Sequence, residues 1–402
     1  MNSPLLAPYR SSTLHLPHRV AMAPMTRSRA EENGAPTPLM ARYYAQRATA
    51  GLIVSEGIWP HHLGKGGPGV PGLTEPAHVA GWNQVTRAVH AAGGRIFAQL
   101  WHVGRVSHPD ILDGEQPVAP SAVPITHGRI HTADGTREYT VPRALSRAEI
   151  ADTVESHAAA ARHAMAAGFD GVEINGAYGY LIGQFLSDGA NLRTDGYADR
   201  TRFAIEVVEA VADAIGAHRT ALRLSPDNPM HDLTESDPAP RYHRLLQALD
   251  GKGLAYLHLV RTRTGTYGAL EDLRPRWSGT LMATLDGPEP GTPQQAEDML
   301  RAGLADVYAF GRHFLANPDL PRRIATGSPL NAPRAHGRYG GGAEGYVDYP
   351  FLPSSRSAAL AGGAVPGLDG AGLAGGAVPD LDGAGLAGGA VPVLSGAVSG
   401  GS

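Results

Sequence analysis

Eight short apolar runs alternate along the chain with longer stretches in which apolar residues return every three or four positions. Short runs that are apolar throughout read as strands buried on both faces, and the longer periodic stretches as helices that cover them. The expected strands are 20–25, 52–57, 95–101, 171–174, 219–226, 254–260, 280–285 and 306–312. The expected helices are 37–50, 77–92, 146–167, 202–215, 241–252 and 292–302. Their ends carry start and stop signals. Thr37 is placed to cap ahead of Pro38, Ser146 and Glu149 have capping-box spacing, and Gly51, Gly168 and Gly303 stand where helices should stop. Eight strand–helix alternations over about 325 residues predict an α/β fold, a (β/α)8 TIM barrel. A doubly wound sheet is the alternative, but no Gly-x-Gly-x-x-Gly follows the first run.

Two segments break the alternation. Residues 60–76 form a Gly/Pro-rich loop, and 102–141 a long polar excursion of the kind that usually serves function. Past the last strand the pattern changes altogether. Leu-Ala-Gly-Gly-Ala-Val-Pro begins at Leu360, Leu373 and Leu386. Such repeats bury little apolar surface against a large chain entropy. The expected organisation is a barrel over 1–353 and a low-complexity, disordered tail over 354–402.

Composition narrows the function classes. The 402 residues are 42% hydrophobic and 18% charged, with a net charge of −4, which suits a globular protein with a large core. That charge gives no reason to expect a nucleic acid or an anionic membrane as partner. The absence of cysteine excludes disulfides, thiolate metal sites and cysteine nucleophiles. No signal-peptide pattern opens the sequence and no run reaches transmembrane length, so a cytoplasmic protein is expected. His102 and His258 belong to no metal-spaced cluster, and no metal is expected.

The most informative stretch is Gly171-Val-Glu-Ile-Asn-Gly-Ala-Tyr-Gly-Tyr180. It is a short strand that runs straight into polar and aromatic residues, as strands do at the C-terminal rim of a barrel. Asn175, Tyr178 and Tyr180 are expected to project there. Gln99 and Arg223 are polar positions near the ends of two other apolar runs. A buried arginine needs an acceptor, and a ligand at the rim would supply one. The plainer alternative pairs Gln99 and Arg223 with each other and makes Tyr178 and Tyr180 wall aromatics.

Several longer motifs occur in order: Ala23-Pro-Met-Thr-Arg-Ser-Arg29, Tyr43-Tyr-Ala-Gln-Arg-Ala48, Gln99-Leu-Trp-His-Val-Gly-Arg-Val-Ser-His-Pro109, Phe310-Gly-Arg312 with Ala316-Asn-Pro-Asp-Leu-Pro321, and Gly341-Gly-Ala-Glu-Gly-Tyr-Val-Asp-Tyr-Pro350. On these the chain, from about 14 to 350, resembles the Old Yellow Enzyme family of flavin-dependent ene-reductases, in its bacterial N-ethylmaleimide-reductase-like branch. The resemblance implies bound FMN, NADPH or NADH as reductant, and a small-molecule substrate whose C=C bond is conjugated to a carbonyl. A monomer or homodimer is expected.

The resemblance also implies roles. Pro24, Met25, Thr26, Gly57, Gln99 and Arg223 would surround the flavin, with Arg223 beside its N1/O2 edge and Thr26 near O4. Gly311 and Arg312 would meet the phosphate. Trp101, His102 and Tyr339 would line the substrate pocket, and Tyr180 would donate a proton. Two departures stand out. The family pattern His-x-Ala-Asn-Gly-Tyr, whose His/Asn pair polarises the substrate carbonyl, reads here with Asn175 and Tyr178 in those places. The loop after the seventh strand is Ala283-Thr-Leu-Asp-Gly-Pro-Glu-Pro-Gly291 rather than a short Gly-rich turn, so Gly287 and Gly291 compete for the phosphate register. Segment 261–265 is more basic than the family's usual loop there, placed either for an acidic group or for solvent. Reduction of a specialised metabolite is the leading reading. The alternatives are a flavin-dependent isomerase or dehydrogenase, or a non-catalytic flavin-binding protein.

Overall fold

In the computed structural model, which describes residues 3–262 and 267–353, eight parallel strands close into a barrel. They are β1 Val20–Met22, β2 Leu52–Ile58, β3 Ile96–Leu100, β4 Gly171–Gly176, β5 Thr220–Leu224, β6 Tyr256–Thr262, β7 Leu281–Asp286 and β8 Val307–Phe310. Each pairs with the next in sequence, and β8 returns to β1 through Tyr308 opposite Val20. The helices are α1 Pro38–Gln46, α2 Pro76–Ala91, α3 Arg147–Ala166, α4 Leu181–Leu186, α5 Arg202–Ile215, α6 Pro238–Leu249, α7 Ala269–Leu273, α8 Pro293–Arg301, α9 Arg312–Ala316 and α10 Leu320–Thr326.

Local chemistry sets most of these limits. The expected first strand ends early at Met22 because Pro24 has no N–H for the ladder. Thr37 and Thr292 accept the backbone N–H of Met40 and Gln295, and Ser146 and Glu149 close a reciprocal capping box. The helix expected at 241–252 starts at Pro238, whose fixed φ suits the first turn. The short helices α4, α7, α9 and α10 have no counterpart among the expected elements. The tail 354–402 and positions 263–266 of the basic segment lie outside the described residues; Arg261 at its start pairs with Glu271 at 3.0 Å.

The core is layered. Trp82, Phe169, Tyr44 and the alanines of α3 fill the space between strands and helices. Phe97, Tyr256, Met282 and Val307 plug the lower barrel, with Leu14 and Leu16 beneath them. A third cluster at the opposite mouth contains Trp59, Trp101, Tyr178 and Tyr180. In β2 all seven residues are buried, and a register shift between Val54 and Gly57 breaks the pairing with β3. Within that irregularity Glu56 meets Tyr44 of α1, and at its end Gly57 reaches the cavity.

Candidate active site

The C-terminal ends of five adjacent strands surround one cavity. The turn after β1 supplies Pro24, Met25 and Thr26. β2 supplies Gly57, β3 leads to Gln99 and Trp101, β4 to Asn175, Tyr178 and Tyr180, and β5 carries Arg223. All ten residues are candidates from the sequence. Gly57 cannot be larger: a Cβ there would stand 2.5 Å from the Trp101 indole.

A polar chain runs from the barrel interior to this cavity. Glu173, on β4 opposite Gln99, accepts from Gln99 Nε2 at 2.7 Å and from His258 Nδ1 at 2.8 Å. Gln99 Oε1 accepts from Asn175 Nδ2 at 3.2 Å, and Asn175 Oδ1 accepts the Ala177 N–H at 2.9 Å. Burial pushes the Glu173 carboxyl up, but His258, Arg223 and the Gln99 bond outweigh it and hold it below its usual value. Arg223 is 4% exposed and its Nε has no partner.

Tyr178 and Gly179 follow β4 with φ of 55° and 77°. The left-handed turn is costly for a tyrosine, and side chains hold it in place. Ser225 Oγ accepts the Tyr178 N–H at 2.7 Å, His231 Nδ1 donates to the Tyr178 carbonyl at 2.8 Å, and Gln184 Nε2 donates to the Gly179 carbonyl at 2.9 Å. Burial pushes the Tyr178 phenol up despite the nearby Arg223. Burial pushes Tyr180 well above its ordinary value as well, with Tyr139 and Tyr339 adding to the effect. Both phenols are therefore protonated donors at neutral pH. The Tyr180 hydroxyl is buried without a partner, and its ring stands edge-on to Trp101 at 4.9 Å.

Four sequence candidates lie outside the cavity lining. His102 turns away from it: its ring stacks between His61 and His157, at 6.5 and 6.4 Å. Trp101 faces the cavity, and neighbouring residues in an extended chain point to opposite sides. Burial lowers the His102 pKa far below its usual value, with His157 adding to the shift. Tyr339 sits in a loop gripped from below. Arg27 donates to the carbonyls of Arg338, Gly337 and Gly345, and Arg29 to those of Gly342, Gly337 and Glu344. Gly311 and Arg312 follow β8 at the rim, and the Arg312 guanidinium donates to the carbonyls of Gly287 and Pro288, both at 2.5 Å. Arg312 thus ties down the long loop after β7. Gly291 packs where a Cβ would meet the Tyr308 hydroxyl at 2.0 Å, which sets the register of that loop.

Sequence reasoning missed His231, Ser225 and Glu173. His231 lies 5.4 Å, ring to ring, from Tyr180, and burial lowers its pKa to about 4, so it is neutral with its proton on Nδ1. Glu173 had a signal, a carboxylate inside an apolar run. His231 had none, since it stands in an aperiodic loop.

With the geometry established, the comparisons with known proteins are specific. Residues 4–331 match the NADH:flavin oxidoreductase / NADH oxidase family. The chain is 42% identical over 381 residues to 12-oxophytodienoate reductase 7 of Oryza sativa subsp. japonica, covering 88% of this chain and 96% of that one. It is similar to morphinone reductase in complex with tetrahydroNAD, with 43% identity, a TM-score of 0.84, and 88% and 99% of the two chains covered. It is similar as well to the old yellow enzyme homologue of Zymomonas mobilis, with 40% identity, a TM-score of 0.82, and coverage of 87% and 99%.

Proposed function

The chain belongs to the NADH:flavin oxidoreductase / NADH oxidase family, the Old Yellow Enzymes, and from that premise we propose that its rim cavity holds FMN and reduces the C=C bond of an α,β-unsaturated carbonyl compound. It is an FMN-dependent oxidoreductase that takes its electrons from NADH or NADPH. The observation that carries the assignment of the site is Arg223: a buried cation, its Nε unpartnered, opposite Asn175 on the neighbouring strand and lining one cavity with Gln99 and Tyr180. Such a group needs an acceptor, and the anionic pyrimidine edge of a reduced flavin is one. When bound, FMN supplies the hydride for the alkene. The rest falls to the protein.

Arg223 would hold the N1/O2 edge and favour the reduced form, and Gln99 would face the same ring. Pro24, Met25, Thr26 and Gly57 would form the surface against which the ring lies. Gly311 and the loop that Arg312 ties down would meet the phosphate. Asn175, with one amide N–H left over, would donate to the substrate carbonyl together with the Tyr178 hydroxyl. Tyr180, protonated and unpartnered, would deliver the proton to the carbon alpha to that carbonyl. Trp101 packs edge-on against Tyr180, and Tyr339 is near enough to raise the Tyr180 pKa further. Because a tyrosine fills the second donor position, the substrate is a specialised unsaturated carbonyl compound that leaves room for its ring.

The test is the absorbance spectrum of the purified protein. A flavin spectrum bleached by NADPH and restored by a panel of enones is expected. Bleaching without restoration by any enone points to an isomerase or dehydrogenase reaction. A colourless protein that takes up no FMN refutes the reading.

A further inference from the structure

Each amide in the chain from Glu173 to Ala177 has a fixed direction, and chemistry rather than assignment fixes it. A carboxylate only accepts hydrogen bonds, so the Gln99 atom 2.7 Å from Glu173 is the amide nitrogen. The Gln99 oxygen then lies on the other side, where it accepts from Asn175 Nδ2 at 3.2 Å. At the far end the Ala177 N–H only donates, and the Asn175 oxygen takes it at 2.9 Å. Both ends demand the same polarity. Each amide nitrogen keeps one N–H beyond those bonds, and both residues line the cavity.

Glu173 is itself held. It is 0% exposed, and its second oxygen accepts from His258 Nδ1 at 2.8 Å. The opposite nitrogen of that ring meets the Thr284 hydroxyl at 2.8 Å, and Thr284 donates to the Ala309 carbonyl at 3.1 Å. The carboxylate is thus anchored across the barrel from β4 to β8 and is not free to turn away from Gln99.

We propose that Glu173 is a positioning residue that, acting with the Ala177 N–H at the other end, fixes the polarity of the Gln99–Asn175 amide pair and holds Asn175 as a hydrogen-bond donor toward the substrate carbonyl; the inference rests on the ene-reductase reading above. A glutamine at 173 presents either an oxygen or an NH2 group to Gln99, and the lock is lost.

The experiment uses holoenzyme with oxidised FMN, in which an enone binds without reacting, and reads the carbonyl stretch of bound 2-cyclohexenone by infrared difference spectroscopy. In the native protein the donor lowers that frequency. In Glu173→Gln the band should move back toward its position in a solvent that donates no hydrogen bond, and flavin reoxidation by the enone should slow by about tenfold or more, while FMN content stays native. A native band in Glu173→Gln overturns the proposal. Should that variant not fold, Glu173→Asp decides: it keeps the charge but draws the carboxylate back from Gln99, so the band should shift part of the way, and an unmoved band overturns the proposal. Thr284→Val removes only the far end of that anchor, leaves the Glu173–Gln99 bond itself intact, and should move the band much less than Glu173→Gln does. A shift there as large as in Glu173→Gln assigns the effect to general loosening and overturns it too. A native protein that binds FMN but no enone overturns the underlying reading, and the proposal with it.

Discussion

The Arg223 guanidinium carbon lies 5.1 Å from the centre of the Tyr178 ring, so the buried cation at the end of β5 faces an aromatic surface presented from β4. The ring offers a weak partner to a charge with an unpartnered Nε. A flavin's anionic edge is a stronger one. Arg223→Ala should therefore weaken FMN retention by at least about tenfold, roughly 1.4 kcal/mol, and lower the flavin midpoint potential. Titration of apoprotein with FMN, followed by flavin fluorescence, checks the first, and a redox titration the second. Unchanged affinity and potential would remove Arg223 from the cofactor site.

His157 gives the fold an acid limit. It is 2% exposed, and burial lowers its pKa to about 4, against an unfolded value near 6.5. The unfolded chain binds a proton between those values and the folded one does not. Stability from this group is complete above pH 6.5 and is lost as pH falls toward 4, by up to about 3 kcal/mol. His231, also lowered to about 4, works in the same direction. The melting temperature should drop across that window, and His157→Gln should flatten the slope. Equal slopes in the two proteins would show that His157 is protonated in the fold.

Much of this architecture is legible in the sequence, for a physical reason. A parallel strand covered on both faces must be apolar along its length, as β2 is, and a polar residue inside such a run stands out, as Gln99, Asn175 and Arg223 do. What escapes is set by backbone geometry without a pattern. Asp227, His231 and Asp232 all adopt positive φ without a glycine among them, and their loop carries His231 against the Tyr178 carbonyl. Helix α4 is wholly buried, so it has no polar face to give it a period. The resemblance puts His102 in the pocket with Trp101, whereas its ring stacks between His61 and His157, outside the cavity lining, as the alternation of an extended chain dictates.

Glu56 works against the histidines. It is fully buried between Arg27 and Tyr44, and burial, only partly offset by the Arg27 N–H and the Tyr44 hydroxyl, raises its pKa to about 7. A raised carboxyl stabilises the fold below its unfolded value near 4.5, and that contribution is lost as pH rises through 7, on the order of 3 kcal/mol. Glu56 adjoins Gly57 of the cavity and holds the Arg27 backbone just after Thr26. Between pH 5 and 8 the apoprotein should lose stability through this group, and Glu56→Gln should remove that part of the slope. A denaturation series in urea at fixed temperature reads it directly, and a variant slope equal to the native one would show that Glu56 is already ionised at pH 5.

The Asn175/Tyr178 exchange should set the rate on simple substrates. Two well-placed donors to a carbonyl oxygen contribute about 3 kcal/mol or more to hydride transfer. Asn175 is short of the reach of an imidazole, and its amide is tethered at both ends by Gln99 and Ala177. Tyr178 brings a protonated hydroxyl, but on a ring that faces Arg223 and in a backbone conformation that asparagine adopts more easily than tyrosine. The native enzyme should therefore be slow on cyclohexenone and maleimides while NADPH or NADH reduces its flavin readily. Asn175→His with Tyr178→Asn should raise turnover of cyclohexenone by at least about tenfold, equivalent to roughly 1.4 kcal/mol of transition-state stabilisation, and the asparagine should ease the left-handed turn as well. Stopped-flow reoxidation of the reduced flavin by cyclohexenone compares the two proteins. Equal rates would mean that Asn175 and Tyr178 already grip the carbonyl as well as the family pair does, and that the exchange alters only the shape of the pocket.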